Sequence, residues 1–166
     1  MGKSKSTESS YPQVEGLLKQ VVKASSSLNK AADEATKYIE VIEKSLVDAG
    51  VGITVWDGTI LEEEITWYDD ESEKEEPIIR AVLLGFAKIR MGWGFATKDV
   101  YRNIVDENIK RENTFLLLHQ DREMRILAVP RIPELLKAIL EGLEEKKKNI
   151  TETNAQLKKM GTLSKE

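Results

Sequence analysis

The sequence predicts an α+β fold. It reads as a long N-terminal helix, a central antiparallel sheet of about five strands, a short helix and a long C-terminal helix. The two long helices are expected to pair as an antiparallel, coiled-coil-like hairpin. Three observations carry this reading. Val14, Val21, Leu28, Ala35, Ile42 and Ala49 recur at every seventh position near one end, and Leu136, Leu143, Ile150 and Leu157 do so near the other. Between them lies a stretch rich in β-branched and aromatic residues. Gly and Pro mark the junctions.

Residues 1–10 are rich in Ser and Lys and read as a disordered tail. Residues 11–160 form a single domain (helix 11–50, sheet head 51–120, C-terminal helices 121–160), followed by a tail over 161–166. Ser10 can cap a helix whose first turn holds Pro12. The stripe of this helix uses Leu17, Ala24, Ala31 and Tyr38 besides the seven-residue series, and Leu18, Ala32, Ile39 and Leu46 widen it. A stripe this wide suits a helix packed on more than one neighbour. Gly50 reads as a left-handed C-terminal cap.

Val51 to Trp56, Asp57-Gly58 and Thr59 to Tyr68 read as a β-hairpin with a type I′ turn. The acidic run Asp69, Asp70, Glu71, Glu73, Glu75 and Glu76 reads as an exposed loop without the spacing or central Gly of a calcium-binding loop. Ile78 to Arg90 is apolar on both faces, the mark of a central, covered strand. Met91-Gly92 turns the chain into Trp93 to Thr97, and Phe115 to Leu118 reads as a last, buried strand. Asp121 caps a short helix over Arg122 to Val129 with Met124, Leu127 and Ala128 on one face. Pro133 then opens the long C-terminal helix. Both long helices meet the head at one end, so pairing from that end makes them antiparallel.

Composition narrows the function classes. The 166 residues suffice for one buried core. A net charge of −4 argues against general nucleic-acid binding, which needs clustered Lys and Arg. The absence of Cys removes disulfides, thiolate metal sites and Cys nucleophiles. There is no run long and apolar enough for a membrane span, nor the apolar stretch of a signal peptide, and a cytoplasmic location is the default.

Candidate sites are few. His119 is the sole histidine and has neither a nucleophile nor an orienting partner beside it in a recognised pattern, so a structural or solvated role is expected. Glu62, Glu63 and Glu64 interrupt a strand. Strict alternation puts Glu63 beside Leu61, Ile65 and Trp67, where a buried carboxylate would need Arg80 or Lys88; a bulge would release all three to solvent, and solvated charges that protect a sheet edge are expected. Gly92-Trp93-Gly94 makes a turn, since it lacks the third Gly and following helix of a nucleotide loop. Met1-Gly2-Lys3-Ser4-Lys5-Ser6 fits the acylation pattern at Gly2. Asn149-Ile150-Thr151 is a glycosylation triplet on an expected helix.

The order of helix, strands and helix resembles the general plan of prefoldin subunits in layout. The head here is longer than that family's hairpins, and no diagnostic residue carries the likeness further. The expected function is therefore a non-enzymatic interaction or oligomerisation module without cofactor or metal, with a protein partner or a second copy, such as a homodimer, as its ligand. A sensor with a small-ligand pocket between sheet and helices is the alternative. The expected interaction face is the even side of the third strand region, Val82, Leu84 and Phe86 with Trp93, rimmed by Arg80, Lys88 and Arg90.

Overall fold

The computed structural model describes residues 11–69, 75–90, 92–105 and 107–163. The N-terminal tail, the Gly2 pattern and the acidic stretch from Asp70 to Lys74 lie outside the described residues. In chain order the elements are α1 (Tyr11–Asp48), β1 (Val55–Asp69), β2 (Glu75–Ile89), β3 (Gly92–Asn103), β4 (Ile109–Leu116), α2 (Arg122–Ala128) and α3 (Ile132–Leu163). Short 3-10 turns at Leu117–His119 and Val129–Arg131 flank α2. The four strands form one antiparallel meander in the order β1-β2-β3-β4.

Helix α1 ends as its sequence indicates. Gly50 has φ +71°, its N–H bonds to Val47 and the Val51 N–H reaches back to the Leu46 carbonyl. This is the Schellman arrangement, and only Gly adopts it without a steric penalty. Asp121 caps α2 by accepting from the Met124 N–H at 2.8 Å.

The expected hairpin at Asp57-Gly58 is instead a bulge. Trp56 pairs with Gly85 and Ile60 with Leu83, so residues 57–59 stand opposite Leu84 alone. Gly58, at φ +78°, absorbs the extra length. The two segments expected to pair with each other both pair with β2 and fuse into one strand. A 15-residue apolar partner offers a longer ladder and more burial than a two-residue hairpin could. A further irregularity between Ile60 and Glu62 shifts the side-chain alternation, and Leu61 packs against the core. Strand β3 runs on to Asn103, and β4 begins at Ile109 and leaves Phe115 exposed. The buried residue here is Leu117, in the 3-10 turn that follows β4.

The core lies between one sheet face and the helices. Val82, Leu84, Phe86 and Phe95 from the sheet meet Ile39 of α1, Leu117, Met124 and Ala128 around α2, and Ile132, Leu135 and Ile139 of α3. Phe86 stacks on Trp93 and meets Phe95 edge-on, with centroids 5.9 and 5.8 Å apart. The opposite sheet face carries exposed Ile60, Glu63 and Ile65, and small residues such as Ala81, Gly85 and Ala87 lie buried beneath their neighbours.

The two long helices run across the core face in the same sense. Residues near Asn29 to Tyr38 of α1 meet α2 and the turn before α3: Arg122 bonds to Asn29, and Ile126 and Val129 face Ala31 and Ala35. At the other end, Gly142 and Lys146 of α3 approach Ile53 and Gly52, just after α1 finishes. Helix α2 causes this. It carries the chain back to the middle of α1 before α3 starts. The free halves, N-terminal in α1 and C-terminal in α3, therefore leave the head at opposite ends.

Candidate interaction surface

The expected face is not available at the surface. Val82, Leu84 and Phe86 are at most 1% exposed, because the bulky side of β2 is the side the helices cover. Trp93 is half-buried at the end of that core, and Lys88 and Arg90 are exposed beside it.

Arg80 lies on the same face, beyond the apolar core. Its Nη1 is 3.0 Å from Glu64 and 3.6 Å from Glu62, and its Nη2 is 3.1 Å from Asp99. Burial alone would lower its pKa. The hydrogen bonds to Glu64 and Asp99 outweigh that and hold it above the ordinary arginine range. Glu62 and Glu64, not Glu63, meet Arg80, and all three remain substantially exposed. Glu63 points to the open face. The group covers the end of the core with charge-assisted bonds.

Glu43 of α1 is a residue the sequence pattern does not single out. Strand β4 ends opposite Ala96, which leaves the Phe95 N–H without a strand partner, and Glu43 accepts it at 2.8 Å. Gly94 permits this approach, since a Cβ there would lie 2.7 Å from the Glu43 carboxylate. Burial pushes the Glu43 carboxyl above its usual value. The Phe95 hydrogen bond opposes the shift, Glu40 reinforces it, and the charge of His119 opposes it. His119 itself is exposed at the end of a 3-10 turn and lines a shallow groove with Ile89, Arg90 and Phe115. Among the described residues, no cluster of three or more His, Asp or Glu is arranged to hold a metal ion. Trp56 lies over Gly85 with Lys98 Nζ 4.6 Å from its ring centroid, and Trp67 belongs to β1.

An uncovered apolar surface lies on α1. Val14, Leu17, Leu18, Val21 and Val22 are each between 59% and 62% exposed. A helix backbone shields part of every side chain, so such values mean that nothing else covers them. The stripe continues into Ala32, Ala35 and Ile39, all buried at the head. Coverage stops near Asn29, where α2 begins, and residues 14–28 extend about 22 Å beyond it. Each Val or Leu there would contribute about 1.5–3 kcal/mol on full burial. On α3, Leu140, Ile150 and Leu157 are likewise exposed, at wider spacing and with Lys146, Lys147, Thr153 and Asn154 between them. No helix among the described residues is long and apolar enough to cross a membrane.

Comparison of the chain with protein-family models, with curated proteins and with solved structures finds no match in any of the three.

Proposed function

We propose that this chain is a non-enzymatic protein-interaction module: a sheet head carrying two helical arms. In this reading the seven-residue stripes pair in a coiled-coil-like manner with helices of another polypeptide. Pairing between the chain's own arms is disfavoured because they leave the head at opposite ends. The observation that supports the reading best is the five-residue apolar stripe of α1, which has no cover from its own chain. Helices of this kind are stabilised chiefly by packing of their apolar face, and a free half of 18 residues is marginal alone.

The test is photo-cross-linking in the cells that make the protein. A photoreactive residue is placed at Leu17 or Val21 on the stripe, or at Lys19 or Lys23 off it. The proposal requires discrete cross-linked species from Leu17 and Val21 and none from Lys19 and Lys23. Equal labelling from both faces, or no discrete species, would overturn it.

A further inference from the structure

We infer that the occupant of the α1 stripe is a second copy of the same stripe, laid antiparallel across it. The inference rests on the interaction reading above and names its partner. The first ground is the distribution of side-chain size. Residues 14–22 hold the large members, Val14, Leu17, Leu18, Val21 and Val22, and residues 24–31 hold Ala24, Ser25, Leu28 and Ala31. Reversed upon itself, the segment alternates mixed and matched layers: Val14 meets Ala31 of the other copy, Leu17 meets Leu28, and Val21 meets Ala24, so that no layer sets Ala against Ala. Layers that alternate in this way interdigitate. A parallel, in-register pair would set Ala24 against Ala24 and Ala31 against Ala31, leaving voids.

The second ground is charge. Within 14–31 the ionised residues are Glu15, Lys19, Lys23 and Lys30. None falls on the seam positions Val14, Leu17, Val21, Ala24, Leu28 and Ala31 or on their flanks Leu18, Gln20, Ser25 and Ser27, whereas Val22 lies outside this seam, on the side of Glu15, Lys19 and Lys23. Charges at flanking positions select partners in helical pairs, and like charges there would repel a second copy. A seam with neutral flanks accepts itself. The same antiparallel register brings Glu15 level with Lys30 of the other copy.

The third ground is a seat at the far end. Beside Ala31 lies an open groove of about 390 Å³, lined by Ala31, Glu34, Ala35, Tyr38, Ile126 and Val129. The register that pairs Val14 with Ala31 delivers the start of the partner's α1 to this groove. The incoming helix then continues the line along which α2 already covers α1. The pair closes under a two-fold axis between Val21 and Ala24, and no stripe is left to propagate from this segment.

The chain has no cysteine, so each introduced thiol is unique. Leu17→Cys and Leu28→Cys chains are oxidised separately and as a mixture. Disulfide-linked dimer is expected in the mixture at tenfold or more over either chain alone. The unaltered protein should show twice the chain mass in light scattering at micromolar concentration, and Leu17→Glu with Val21→Glu should return it to monomer with its head folded by circular dichroism. Self-cross-linking of each single variant without the mixed product would overturn the antiparallel register. Monomer mass throughout would overturn self-pairing. In that case stripe-specific photo-cross-links to a different protein would still uphold the interaction reading, and their absence would remove both.

Discussion

Replacing Gly85 with Ala should destabilise the protein, although strand propensity alone argues the opposite. Gly85 has no positive φ, so Ala would restrict the unfolded chain and stabilise by about 0.4–1 kcal/mol if space allowed. Space does not allow it. A Cβ at this position would lie 2.3 Å from Cε3 of Trp56 and 2.6 Å from the Val55 carbonyl oxygen, where ordinary contact begins at 3.4 Å. The ring must retreat by about 1.1 Å and the carbonyl by about 0.8 Å, differences taken from those distances. The carbonyl belongs to the β1 ladder and moves only with its strand. Overpacking of this kind costs about 1–3 kcal/mol. Displacing Trp56 also weakens its contact with Lys98, worth about 0.5–1 kcal/mol. The net expectation is a loss of about 2 kcal/mol, or about 4–8 °C in Tm for a chain of this size. Urea unfolding followed by far-ultraviolet circular dichroism, at one fixed protein concentration, measures it. In a Trp56→Ala background the cost should shrink by about 1 kcal/mol, because the ring is gone while the carbonyl remains. A Gly85→Ala protein as stable as the parent would refute the packing of Trp56 on β2.

Three further outcomes are expected. Leu135→Ala, at a fully buried position, should cost about 2–5 kcal/mol, whereas Leu17→Ala should change the stability of the dilute monomer by no more than about 0.5 kcal/mol; equal costs at high dilution would mean that α1 is covered by its own chain. Arg80→Leu removes the cation facing Asp99, whose side chain is only 12% exposed, and should cost about 2–3 kcal/mol in denaturant titrations; a change within error would show that solvent already satisfies Asp99. Glu43 tests the pH dependence. Its carboxyl is raised in the folded state above the ordinary 4.5, so the folded protein holds this proton more tightly than the unfolded chain does. The stability it contributes is present below pH 4.5 and declines as pH rises through the folded value. The parent should therefore lose stability relative to Glu43→Gln over that rise, with the difference in urea midpoints flat or opposite in sign as the refuting result.

The ends of the elements were legible in the sequence because local chemistry decides them. Gly50 stops α1, Asp121 starts α2, and an apolar period of seven marks both long helices whatever they pack on. The wide stripe of α1 already indicated more than one neighbour, and half of it does meet α2 while the other half is bare. The turn at Asp57-Gly58 was misleading, because a Gly at positive φ serves a bulge as well as a hairpin, and only the long partner β2 chooses between them.

The sequence by itself determined the α+β class, the long helices and the apolar strand β2, since periodicity and capping act over a few residues. Tertiary structure alone decided which face of β2 is buried, that α2 reverses the chain so that α1 and α3 run in the same sense, and that Glu43 closes the sheet edge at Phe95. Each of these depends on contacts between residues far apart in the chain. Their energies come from shared burial and from satisfying backbone groups that no local pattern reveals.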